Sequence, residues 1–369
     1  MRVLILSSNN GGGHNAVASA LRELFEAHGD VCRMEDCLAF ISEDVSDVVS
    51  KSHNFVYRHV PKLFATGYRH TMRHPETFNE HHNGRRVLKL GRKNLGRLLL
   101  GGGFDAVICT HVFAAMMLTD ACREYGLKMR TGVVETDYIN SPGAHSSDVD
   151  WHFIPYAGLK ADLEALGVPG ERIVVSGIPV RDAFYNREDR DAARRALGLP
   201  LKGRLILMMG GSMGAGPVPE LCAALAGRLG AEDAVCVVCG TNRSLRNGLL
   251  SAYGNDPRFH IVGYTDDVAR MMDAADLLMT KPGGISVTEA AVKRLPMVLV
   301  ESVAGCEAYN LNFFIQNGGA ATADTPAALA DLTANLLGDA PRRQAMAQAL
   351  EGVAQINDRE VIWRMMTTP

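Results

Sequence analysis

Two glycine turns in this chain carry residue types that can do chemistry on a phosphorylated ligand. In TKPGGISVTEA, Thr280 to Ala290, a Pro-Gly-Gly turn follows the apolar run ADLLM and leads into a helical pattern. Gly283 and Gly284 let a ligand approach the backbone with no Cβ in the way, and the N–H groups of Gly284, Ile285 and Ser286 open the helix, where they favour an anion. Glu289 lies about one and a half turns further on, a distance from which a carboxylate can accept from two vicinal ribose hydroxyls while the turn holds phosphates. An ordinary strand-turn-helix connection with a surface Glu fits the segment alone. The run RLILMMG ends in the same device, with Gly210, Gly211 and Gly214 around Ser212. Two such turns converge on one diphosphate if their strands are neighbours, and a diphosphate held by amides and helix ends needs no metal.

The chain opens with a third turn. MRVLILSSNNGGGHNAVASAL places His14 just after Gly11, Gly12 and Gly13 at a helix start. It is neither G-x-G-x-x-G nor a P-loop, since no Lys-Ser or Lys-Thr follows. A histidine there faces the carboxyl ends of a parallel sheet and suits a general base with a neutral imidazole; a capping histidine without proton transfer fits the same position. Gly305, Cys306 and Glu307 precede a helix carrying Asn310. Glu307 there serves either as an acceptor for sugar hydroxyls or as a helix-start acid. Asp148-Val-Asp150 has the form of a cation-holding pair, but it runs directly into WHFIP and reads as a loop entering a strand.

The elements that must position these groups alternate. VLILSS, DAVICTH, TGVVET, WHFIP and RIVVSG read as strands in the first half, with helices such as Asn15 to Ala27 between them; RLILMMG, AVCVVCG, FHIVG, ADLLMT and MVLV repeat the pattern in the second. This predicts an α/β chain of two Rossmann-like domains, 1–185 and 186–355, followed by a C-terminal helix over 356–369 that packs back toward the first domain. A helical insertion is expected over 42–100, where Arg58, Lys62, Arg69, Arg73, Arg85 and Arg86 are interleaved with apolar and aromatic residues including Tyr68. Such a mixture suits an anionic lipid surface, with RNA binding and a solvated helix face as rivals.

Length and composition fit two ordinary domains: 369 residues, 21% charged, with a net charge of −3. The 8 cysteines are scattered through mostly apolar runs, and MRVLILSSN lacks a signal-peptide core, so they read as reduced cytosolic thiols. Cys236 and Cys239 lie in one strand pattern, where residues three apart point to opposite faces and do not make a metal or redox pair. No apolar run approaches the ~20 residues of a membrane span.

GGGHNAVASAL, SGIPVR, GGSMG, VVCGTN, VGYTDD, KPGGISVTEA and AGCEAYN, in this order, resemble the glycosyltransferase family of the processive diacylglycerol glucosyltransferases and monogalactosyldiacylglycerol synthases. The lipid-linked N-acetylglucosaminyltransferase of peptidoglycan synthesis is a more distant likeness. The resemblance implies a GT-B fold, two Rossmann-like domains facing a cleft, and inverting hexose transfer from a UDP-sugar with no cofactor and no bound metal. It implies His14 or a nearby acid such as Asp137 as the catalytic base. Arg181, Gly211, Ser212, Gly284, Ile285 and Ser286 would then serve the diphosphate, Glu289 the ribose, backbone near Tyr264 and Thr265 the uracil, and Glu307 and Asn310 the sugar. Glycolipid enzymes usually have Gln where Cys306 stands, which leaves the sugar open. The implied partners are a UDP-sugar, a lipid acceptor (diacylglycerol or a glycosyl-diacylglycerol) and an anionic membrane surface on the cytoplasmic side, with no nucleic acid. Transfer of N-acetylglucosamine to an undecaprenyl-linked acceptor, and a non-catalytic UDP-sugar-binding regulator, are the alternatives.

Overall fold

The computed structural model describes residues 1–9, 12–42, 44, 70–71, 74, 83–210, 216–300 and 305–368. The expected contacts at Arg58, Lys62, Tyr68, Arg69 and Arg73, and those at Gly211 and Ser212, lie outside the described residues.

Contacts divide the chain into two units, Met1–Asp182 with Val303–Cys306 and Ile356–Pro369, and Ala183–Ser302 with Glu307–Gln355. Each is built on a parallel six-stranded sheet covered by helices, the outcome expected where short apolar runs alternate with amphipathic segments.

In the first unit the strands are β1 (Arg2–Ser7), β2 (Val31–Asp36), β3 (Ala106–Cys109), β4 (Arg130–Val134), β5 (Trp151–Ile154) and β6 (Ile173–Val175), in the order β2-β1-β3-β4-β5-β6. β1, β3 and β4 are almost entirely buried and read as unbroken apolar runs, as strands covered on both faces must. The direction of strand addition reverses at β1 and β3, which makes their carboxyl ends the switch point where ligands bind in such sheets. Helices Gly12–Ala27, Asn83–Gly102 and Val112–Tyr125 cover the sheet. The C-terminal helix Arg359–Thr367 closes this unit: Trp363 stacks on His28 at 3.9 Å and donates to Asp30, and His28 contacts Glu360 at 2.8 Å.

In the second unit β7 (Leu205–Met209), β8 (Ala234–Val238), β9 (Phe259–Val262), β10 (Leu277–Thr280), β11 (Met297–Leu299) and β12 (Ala320–Ala321) lie in the order β12-β11-β10-β7-β8-β9. The switch point falls between β7 and β10, which are direct neighbours with Met209 opposite Thr280. Thr280 Oγ1 donates to the Met209 carbonyl at 2.9 Å and locks the two strand ends together. The segments that follow β7 and β10 therefore leave from adjacent strands. Cys236 and Cys239 are both buried, and burial pushes the Cys236 thiol up to about 12.

One surface expectation is corrected. Arg85 is 1% exposed and donates to Asp120 at 3.0 Å, joining helix Asn83–Gly102 to helix Val112–Tyr125. A guanidinium held inside the unit by a carboxylate is a packing element and does not reach a membrane. Arg86, the next residue, is exposed.

Candidate active site

In the first unit the site is assembled at the switch point. Asn15 accepts from Ser7 Oγ at 2.6 Å and donates to Asn9 at 2.8 Å, so the residues on either side of the glycine turn are tied together. His14, in the first turn of the helix, is half-buried, and its Nδ1 lies 2.8 Å from the Thr110 carbonyl and 3.1 Å from Thr136 Oγ1. A carbonyl only accepts, so Nδ1 carries a proton, and in a neutral ring the lone pair lies on Nε2. Strand ends β1, β3 and β4 thus combine to set the tautomer a general base needs. His111, the residue after Thr110, packs edge-on against His14 at 4.6 Å; its own Nδ1 accepts from the Phe113 N–H and caps helix Val112–Tyr125.

The end of β4 adds two carboxylates. Asp137 is half-buried, whereas Glu135 is 4% exposed and accepts from Ser141 Oγ at 2.6 Å. Burial, aided by the Asp137 charge and opposed by the Ser141 hydrogen bonds, pushes the Glu135 carboxyl up to about 7. Two carboxyl groups two residues apart are thereby poised differently, one that keeps its proton to about pH 7 and one nearer to solvent. Glu135 and His111 were not singled out from the sequence. The signal was present, since VVET and CTH are strand ends at the carboxyl edge, where chemistry collects in such sheets.

Asp148 and Asp150 do not form a cation pair. Asp150 accepts from the Thr131 N–H at 2.7 Å and its hydroxyl at 2.9 Å, and Asp148 pairs with Arg172 at 3.0 Å, which lowers its pKa. Arg181 also belongs to this unit and follows the GIPV turn. Gly177 has a φ of +71°, and a Cβ there would meet the Asn357 backbone at 2.6 Å. Asn357 in turn donates to the Ile178 carbonyl at 2.6 Å, clamping the turn that carries Arg181.

In the second unit, helix Gly284–Val292 begins at Gly283 without a side-chain cap. The N–H groups of Gly284, Ile285 and Ser286 are thus first-turn donors with no intrahelical acceptor, the arrangement that receives a phosphate. Asn310 is fully buried and donates to the Pro282 carbonyl at 2.9 Å, binding helix Cys306–Gln316 to the turn. Lys281 Nζ pairs with Glu307 Oε1 at 2.9 Å. The space where Gly283 lacks a Cβ opens toward the same carboxylate, 3.9 Å away. Glu289 is 9% exposed on the helix. Tyr264 and Thr265 lie beyond β9, with Tyr264 largely exposed and donating to Asp266 at 3.1 Å. Lys281 was missed from the sequence, where it reads as the last polar residue of a strand.

Two doubly wound parallel sheets of this kind are the framework of the GT-B class. Residues 14–180 match the family model of monogalactosyldiacylglycerol (MGDG) synthase, and residues 205–359 match that of the glycosyltransferase family 28 C-terminal domain. The N-terminal part thus carries a match to the first family and the C-terminal part a match to the second. A processive diacylglycerol beta-glucosyltransferase of Bacillus cereus (strain G9842) is 28% identical over 361 residues, covering 95% of this chain and 89% of the relative. Among solved structures, Acinetobacter baumannii MurG aligns with a TM-score of 0.65 at 16% identity, over 100% of this chain and 99% of that one. Anabaena Alr3699/HepE in complex with UDP aligns with a TM-score of 0.59 at 13% identity over 100% of both chains. At such identities these likenesses establish the fold alone.

Proposed function

We propose that the chain transfers a hexose, glucose or galactose, from a UDP-sugar to diacylglycerol or a glycosyl-diacylglycerol at a membrane surface, inverting the anomeric centre without a metal ion. The observation that carries this reading is the His14 constellation: an imidazole whose Nδ1 is committed to the Thr110 carbonyl, at the switch point of its sheet. A nucleotide-binding regulator has no need of a base oriented in this way. The acceptor hydroxyl gives its proton to His14 Nε2, or to Asp137, as its oxygen attacks the anomeric carbon from the face opposite UDP.

On the donor side, the amides of Gly284, Ile285 and Ser286, with the turn at Gly211 and Ser212 and with Arg181, take the charge that grows on the leaving diphosphate. Glu289 holds the ribose hydroxyls, backbone near Tyr264 and Thr265 reads the uracil, and Glu307 and Asn310 meet the sugar, Glu307 oriented by Lys281. The named activity of the Bacillus cereus relative supports a glucosyl donor and a diacylglycerol acceptor.

Membrane approach draws on helix Asn83–Gly102. Arg86, Leu90, Lys93, Arg97 and Leu100 recur at helical spacing on its exposed side, mixing cations with large apolar groups. Among the described residues no helix is long and apolar enough to cross a membrane. Peripheral attachment at the cytoplasmic face is the matching mode. UDP release from UDP-glucose, UDP-galactose and UDP-N-acetylglucosamine, with and without diacylglycerol liposomes, tests the reading: release with a hexose donor that requires the liposomes supports it, and no release with any donor refutes it.

A further inference from the structure

The second unit holds a cavity of about 390 Å³ at the opposite end of its sheet from the donor turn. It is lined by residues directly preceding β10 and β11, by the 187–190 segment and by the start of helix Ala340–Ile356. Its volume falls within the roughly 300–1,000 Å³ of small-molecule sites. Five lining side chains are cationic, Arg187, Arg190, Lys293, Arg294 and Arg343, against three carboxylates.

All three carboxylates are already engaged. Asp273 holds Lys293 at 2.6 Å, Asp276 holds Arg194 at 2.8 Å and Arg190 at 3.3 Å, and Glu188 holds Arg270 at 2.8 Å. Arg343 gives Nη1 to the Leu336 and Leu337 carbonyls. Arg187 is exposed and among the described residues has neither a hydrogen bond nor an ion pair; partial burial and the neighbouring Arg294 charge lower its pKa, opposed by the charges of Asp273 and Glu351. An unpaired guanidinium in an open, cation-rich cleft suits an anion.

Arg294 supplies an independent sign. It ends helix Gly284–Val292 with a φ of +53°, the only left-handed non-glycine among the described residues. Arg294 N–H bonds to the Ala291 carbonyl and Leu295 N–H to that of Ala290, the pattern whose left-handed position normally takes glycine. Keeping an arginine there costs stability that glycine would spare. Strain of this kind persists where the side chain has a use. Arg294 also pairs with Glu351 at 2.7 Å, which fixes its guanidinium near the helix that walls the cavity.

We infer that this cavity is a second anion site, taking a phosphate-bearing group, at the far end of the same helix whose first turn forms the donor site. Arg187 and Arg294 are its principal donors, with Arg190 and Arg343 beside them. The donor turn also attracts diphosphates, so the test is a calorimetric titration of the whole chain with pyrophosphate in saturating UDP. A parallel titration uses monomeric dihexanoyl phosphatidic acid. One saturable site is expected, weakened at least tenfold by Arg187→Ala and by Arg294→Gly with UDP affinity unchanged.

Arg294→Gly relieves the strained backbone, so loss of binding in that variant cannot be ascribed to misfolding. Binding of pyrophosphate alone assigns a free anion, and binding of the lipid alone assigns a headgroup. No saturable binding of either, or undiminished binding in the variants, overturns the site. Failure of UDP itself to bind counts against the donor assignment, and the pyrophosphate titration then runs without it.

Discussion

His14 illustrates how a residue's role depends on what its non-reacting atoms do. The Thr110 carbonyl takes the Nδ1–H, which leaves Nε2 as the proposed base. His14→Ala is expected to lower turnover by about 10²–10⁴ while calorimetry shows UDP affinity unchanged; turnover at the normal rate would remove His14 from the mechanism. Glu135 makes a different prediction. The native state holds its proton more tightly than the unfolded chain, from an ordinary 4.5 to about 7. Stability from the neutral carboxyl is therefore full below pH 4.5 and is lost as the pH rises through 7, a cost of at most about 3 kcal/mol. Glu135→Gln should leave stability nearly unchanged at pH 4.5 and raise it by up to that amount at pH 8, measured by denaturant unfolding. A difference independent of pH would show that the buried carboxyl does not titrate as described. His14, Glu289 and the glycines were legible in the sequence because their types and positions imply chemistry. Glu135 and His111 were marked only by their place at strand ends, and what distinguishes them, and Lys281, is burial and partner geometry.

At the level of elements, ten of the twelve strands among the described residues follow from apolar runs. The two that do not are edge strands. β2, VCRMED, is partly exposed and charged, with no continuous apolar run to mark it, and β12 is only two residues long. The basic segment shows the limit of charge counting. Arg85 and Arg86 are adjacent and chemically identical, yet one is buried against Asp120 and the other exposed, because helix Asn83–Gly102 presents successive residues to different sides. Asp120→Ala would strand Arg85 as an uncompensated buried charge and should cost about 3–5 kcal/mol in chemical denaturation. A loss under ~1 kcal/mol would place the pair among surface ion pairs instead.

Over the whole molecule, the proposal divides the labour between the two sheets. In it the first unit supplies the base and the exposed basic-apolar helix face, and the second the diphosphate turn and the carboxylates for ribose and sugar. If that face meets lipid, Arg86→Glu, Lys93→Glu and Arg97→Glu together should abolish sedimentation with anionic vesicles, since each lost cation removes about 1 kcal/mol of attraction. UDP affinity should stay the same, and vesicle binding as strong as before would move the contact elsewhere on the chain. The central claim, inverting transfer to a lipid hydroxyl, is tested most directly by NMR of the glycolipid formed from an α-linked UDP-hexose and diacylglycerol liposomes. A β-linked hexosyl-diacylglycerol, absent from reactions with His14→Ala, is the predicted product; an α-linked product, or undiminished formation in that variant, would contradict the account.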